Sequence, residues 1–167
     1  TFVFDAGLTE NTTGTVTLAG SIDSTNDDIT FGAITLATAT TLDTNASDTT
    51  GDIIIGAVTG ANNSLTLDTT TSTGSADITF NGDINLGTGA LTVTGDVVLG
   101  ANVSVTATPS SGIGIRFNDA INADSASSND RTLTLNAGTA ATIFALGSNV
   151  GASEALAGLT ITQSNGA

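Results

Sequence analysis

Short words of alternating apolar and polar residues recur along this chain, too tightly spaced for helices. Leu65-Thr66-Leu67, Leu91-Thr92-Val93, Leu133-Thr134-Leu135 and Leu159-Thr160-Ile161 are copies of one word. A longer word, Ile78-Thr79-Phe80-Asn81-Gly82-Asp83-Ile84, nearly returns as Ile115-Arg116-Phe117-Asn118-Asp119-Ala120-Ile121, and Ile29-Thr30-Phe31-Gly32-Ala33-Ile34 is a looser copy. Self-similarity of strand-like units is the sequence signature of a solenoid. Solenoids present surfaces and spacers more readily than enclosed pockets.

The intervals sharpen this reading. Words begin at Ile78, Ile84, Leu91, Val97 and Val103, steps of 6, 7, 6 and 6 residues. Ile78 to Val97, Ile84 to Val103 and Ile34 to Ile53 each span 19 residues, and Ile115 to Leu133 spans 18. Three short strands per coil of about nineteen residues satisfy both periods. Ile29, Ile53 and Ile78 stand 24 and 25 residues apart, which fits polar insertions at corners such as residues 43–50 and 68–75. Thr, Val, Ile and Gly are poor helix formers, and apolar residues alternate rather than recur at three and four. Residues 152–158 are the one helix-tolerant stretch, read as a loop or a single turn.

The fold expected is all-β: a right-handed parallel β-helix, or β-solenoid, of about seven to nine coils, with residues 1–167 as a single segment. Like residues stack above like in apolar ladders, and backbone hydrogen bonds run along the axis. Phe31, Phe80 and Phe117 hold equivalent places in their words and are expected to stack inside. The near-repeat then marks two coils, 37 residues apart, with the same inward Ile and Phe. The rival is a pair of immunoglobulin-like sandwiches, which would call for a core Trp or Tyr and several prolines. This chain has neither Trp nor Tyr, and one Pro.

Sixteen carboxylates face only Arg116 and Arg131, a net charge of −14. Such a field repels nucleic acid and anionic membranes, so neither nucleic-acid binding nor membrane insertion is expected. A hydrophobic fraction of 39%, rich in Ile, Leu and Val, argues against disorder. Without Cys there is no disulfide, zinc or thiol chemistry. The scarcity of Lys and Arg leaves trypsin-like proteases few sites, which suits an extracellular or cell-surface location.

Residues 91–105 (Leu-Thr-Val-Thr-Gly-Asp-Val-Val-Leu-Gly-Ala-Asn-Val-Ser-Val) and 131–139 (Arg-Thr-Leu-Thr-Leu-Asn-Ala-Gly-Thr) resemble the β-strand repeats of giant bacterial surface proteins. The nearest type is the filamentous-haemagglutinin-like adhesins and their autotransporter relatives. The resemblance extends from about Ile29 onward and lies in composition and rhythm, so it carries over no functional residue. It implies secretion to the outer surface and a rod-like or fibrous shape.

Asp28, Asp52 and Asp77 each precede an Ile-led strand word. Stacked, they would form a carboxylate ladder, with Asp27 and Asp83 as further candidates, and calcium is the cation such clustered oxygens would take. The plainer reading is Asp as a turn former at solvated corners; the glycine-rich nonapeptide of calcium-binding β-rolls is missing. Thr66, Thr92, Thr94, Thr132, Thr134, Thr160 and Thr162 alternate with inward aliphatics, so a Thr-rich external face is expected. It suggests glycan or ice recognition, against the simpler fact that Thr suits any exposed strand position. Catalysis finds little support: the chain has neither His nor Lys, and no carboxylate cluster stands beside its arginines. Arg116 is expected to point outward and to pair with a corner Asp. Sequons at Asn11, Asn45, Asn62 and Asn102 match chance for so Ser- and Thr-rich a chain.

The last residues, 159–167, run naturally into Thr1-Phe2-Val3-Phe4, and neither end shows a charged or helical cap. Bare strand edges invite pairing. The chain therefore reads as a piece of something longer, a non-enzymatic structural rod whose partners are adjacent repeats or copies of itself, end to end. The alternative is a ligand-binding solenoid module with capped ends and a flat exposed face, able to hold a surface glycan.

Overall fold

The computed structural model describes residues 1–10, 13–44, 50–69, 76–125, 131–145 and 149–166. Among these there is no helix, and every strand pairing is parallel. The chain winds as a β-solenoid with three faces per coil. One face begins with strand Phe2–Phe4 and ends with Ala141–Phe144; a second runs from Leu8–Thr9 to Ile121–Ala123; the third ends with Gly158–Gln163. Two long strands, Thr15–Ser24 and Ala33–Asp43, bend from the third face into the first, so those two faces form one continuous sheet.

Alternation decides which side chains enter the core. In Ile53–Ile55 the outer two isoleucines are buried and the middle one is partly exposed, as a strand packed on one side only requires. On the second face Leu8, Ile29, Ile53, Ile78, Val97, Ile121 and Val150 share one column. From Ile29 to Ile121 its members are at most 1% exposed. The first face carries Phe2, Ile22, Leu42, Leu67, Val93, Phe117 and Phe144 in register. The third carries Val16, Ile34, Val58, Ile84, Val105, Leu135 and Ile161. These columns meet in a single apolar core.

The path makes six turns linking seven levels, slightly fewer turns than the seven to nine coils expected, because most coils are longer than nineteen residues. Steps along the second-face column are 21, 24, 25, 19, 24 and 29 residues. Ile78 to Val97 is a true nineteen-residue coil. Of the other short intervals, Ile34 to Ile53 and Ile115 to Leu133 join different faces, and Ile84 to Val103 falls two residues short of the register on one face: Ile34 stacks on Val58, Ile84 on Val105, Ile115 on Leu91 and Leu133 on Val103. A strand-to-strand step of six plus a variable corner can sum to nineteen by coincidence. The interval of 24 and 25 through Ile29, Ile53 and Ile78 is the genuine register.

The two long words are likewise out of register. Ile78 and Phe80 lie on the second face, whereas Ile115 and Phe117 lie on the first. Phe31 and Phe80 share a column with Ile55 between them, as expected. Phe117 instead stacks on Phe144, ring centroids 5.8 Å apart and planes 14° apart. Any one strand word fits any face, because all three faces ask for the same alternation. Of the insertions expected at residues 43–50 and 68–75, residues 45–49 and 70–75 lie outside the described residues; beside them Thr44 meets Gly51 and Thr69 meets Ala76 at one corner. Residues 152–157 form bends and a loop, and Gly158 opens the strand Gly158–Gln163.

Candidate functional site: the acidic corner

The corner from the first face to the second gathers the chain's most regular polar chemistry. Asp28, Asp52 and Asp77 do stack in one column there, and Asp96 continues it. Asp28, Asp52 and Asp96 each use the carboxylate on the next level. The Asp52 N–H donates to Asp28 Oδ1 and the Asp77 N–H to Asp52 Oδ1, both at 2.9 Å. The Ala120 N–H donates to Asp96 Oδ1 at 3.1 Å. A carboxylate accepting a backbone N–H makes a charge-assisted bond. The ladder therefore ties coil to coil at the point where the chain turns into the second face.

Stacking carboxylates carries an electrostatic cost, and Asp77 bears it. Partial burial, then the charges of Asp52 and Asp96 on either side, push its carboxyl above the ordinary aspartate value. Its outer flank opens into a groove of about 440 Å³ lined by Asp77, Asp96, Asn122, Asp124 and Glu154. Among the described residues no three acidic side chains converge closely enough to hold a metal ion. Asp83 stands apart from the ladder, at the corner into the third face, where its Oδ1 accepts the Ser104 N–H at 2.8 Å. Asp27 contributes its backbone carbonyl, accepting from the Ser24 hydroxyl at 2.7 Å.

Sequence reasoning missed the partner column beside the carboxylates. Ser24, Thr44 and Thr69 are buried polar residues, 0%, 1% and 4% exposed. Their hydroxyls donate to the carbonyls of Asp27, Gly51 and Ala76, the residues just before Asp28, Asp52 and Asp77. Each hydroxyl closes the base of whatever chain is inserted between it and the next strand. The signal was readable: Asp23-Ser24, Asp43-Thr44 and Asp68-Thr69 each precede an Asp-Ile pair. In the following coil Thr94-Gly95 leads straight into Asp96 with nothing inserted, giving the nineteen-residue step. Gly95 has φ +129°, and a Cβ there would meet Thr69 Oγ1 at 2.0 Å. Only glycine allows that turn and that approach.

The Thr residues fall on two faces rather than one. Thr66 and Thr92 stack on the first face, their column running from Thr41 to Arg116, with Thr94 in the next column. Thr134 and Thr160 stack on the third face below Ser104, and Thr132 pairs with Gly158. Thr162 spends its hydroxyl on the Leu135 carbonyl, 3.1 Å away. Among the described residues Arg131 rather than Arg116 makes the corner ion pair: Nη2 lies 2.7 Å and Nε 3.2 Å from the two Asp124 oxygens. Two sequons, at Asn11 and Asn45, lie outside the described residues. At the other two, the side-chain carbonyls of Asn62 and Asn102 accept the Thr88 and Thr132 N–H groups.

The ends of the solenoid differ from its middle. Among the described residues every exposed large hydrophobic residue, Phe2, Val3, Val150, Leu159 and Ile161, belongs to the first or last level. Among the described residues, strands Phe2–Phe4 and Leu8–Thr9 pair with another strand on one side only, as do Ala141–Phe144 and Gly158–Gln163; at the start of Ala141–Phe144 the tail adds bonds from the Asn165 N–H to the Ala140 carbonyl and from the Thr142 N–H to the Gly166 carbonyl. No protein-family model, curated protein or solved structure matches the chain.

Proposed function

We propose that this chain is a non-enzymatic, structural segment of an extracellular bacterial adhesin or surface fibre. Its task is to extend a stiff rod by continuing the β-solenoid at both ends, with further repeats or copies of itself. The observation that carries this reading is that, among the described residues, the exposed large apolar side chains are confined to the terminal levels. Edge strands of soluble proteins are normally protected by charge, proline, bulges or a covering element. This chain has sixteen carboxylates, yet none lies in strands Phe2–Phe4, Leu8–Thr9, Ala141–Phe144 or Gly158–Gln163. The acidic corner fits the same task, since it ties successive coils together and admits insertions without breaking the stack.

Sedimentation and electron microscopy of the 167-residue chain test the proposal. Rods longer than one six-turn unit are expected, growing with protein concentration. Particles that remain single units at high concentration, with Phe2 and Leu159 inaccessible to hydrogen exchange, would overturn it.

A further inference from the structure

Resting on the rod reading, we infer that copies of this chain stack head to tail in one register, the last level of one copy seating on the first level of the next. The three inward columns supply the argument. The first-face column starts at Phe2 and ends at Phe144; the second-face column starts at Leu8 and ends at Val150; the third-face column starts at Val16 and ends at Ile161. Chain order at the two ends is also the same: first face, second face, third face. A copy translated along the axis therefore meets its neighbour with each column continued by an apolar residue and each strand parallel to the one it joins.

The aromatic column gives the contact its specificity. Phe117 and Phe144 already stack at 5.8 Å in near-parallel planes. Phe2, 65% exposed, sits at the start of that same column. In the stacked pair it becomes the third ring on Phe144. Stacked aromatic pairs add to the area they bury. Head-to-head contact offers no such match, because a two-fold axis would set the meeting strands antiparallel and pair each end with itself. A heterologous contact of this kind does not close, so it propagates as a filament. With levels about 4.8 Å apart, seven levels set an axial repeat of roughly 34 Å.

Cysteine cross-linking tests the register cleanly, because the chain has no cysteine of its own. The double variant Phe2→Cys, Phe144→Cys is oxidised at a concentration where the parent sediments as rods. Adjacent parallel strands hold Cα atoms within disulfide range. A ladder of dimers, trimers and longer chains is expected on a non-reducing gel, while each single variant stays monomeric on it. Leu8→Cys with Val150→Cys repeats the test away from the aromatic column, should loss of Phe144 weaken the last level. Dimers from either single variant, or rods that give no ladder with both pairs, would overturn the register and leave the rod reading standing. Absence of rods from the parent would overturn both.

Discussion

The middle levels and the end levels of this solenoid are built from the same residues and behave oppositely. Ile29, Ile53, Ile78 and Ile121 are wholly buried, while Val150 in the same column is 39% exposed. Leu133 is 1% exposed, while Leu159, its partner one level on, is 41% exposed. Both sides of that comparison are aliphatic residues in parallel register with the level before. What changes is whether a further coil covers the side chain and pairs with its strand. Burial here belongs to the stack rather than to the word, as nearest-neighbour stabilisation in repeat architectures requires.

Mutations that break the comparison should rank by how many neighbours they disturb. Ile78→Ala, between two covered levels, is expected to cost about 4 kcal/mol in a urea melt, from lost burial and the cavity left behind. Phe2→Ala at dilute, monomeric concentration should cost less than about 0.5 kcal/mol, because its side chain already faces solvent. Equal losses would mean that the ends are covered. Gly95→Ala should cost on the order of 3 kcal/mol, since it forces an L residue into positive φ and drives a methyl into Thr69. Thr44→Val keeps the shape but removes the hydroxyl from the Gly51 carbonyl, for an expected loss of about 1–2 kcal/mol.

Asp77→Asn is the one change expected to stabilise. A carboxyl whose pKa is raised by folding binds its proton more tightly in the folded chain than in the unfolded one. Its charging therefore removes stability as pH rises from the ordinary aspartate value through the raised one. Solvent still screens the group, so the gain at pH 7 should stay below about 1 kcal/mol. It should vanish below about pH 4, where wild type carries the proton as well. A gain that persists in acid would assign the effect to packing. Last in size, a chelator should leave the melting temperature unchanged, because the carboxylates of Asp28, Asp52 and Asp96 are already bonded to backbone N–H groups of the next coil. A fall of several degrees would restore calcium to the ladder.

Much of the acidic corner was legible in the sequence, because Asp-Ile recurs at nearly the coil length. Asp28, Asp52 and Asp77 stack for that reason, and Asp96 escaped notice because it leads into Val97 rather than Ile. The hydroxyl column of Ser24, Thr44 and Thr69 was harder to see. Their distance to the carbonyl they bind varies from 3 to 7 residues, so no fixed spacing betrays it. The Phe117–Phe144 stack could not be read at all from word similarity. Phe117 sits in a word that looks like that of Phe80, and only its face tells them apart.

Alternation of apolar and polar residues, the poverty in helix formers and the recurrence of strand words were enough to determine a β-solenoid. Those are local properties, written one strand at a time. Register, coil number, the faces on which the threonines fall and the pairing of Arg131 with Asp124 were decided only in the folded stack. Corner length varies freely from coil to coil, and each extra corner residue shifts the sequence interval without shifting the column. Sequence distance therefore loses count of the levels, whereas hydrogen bonds between neighbouring coils do not.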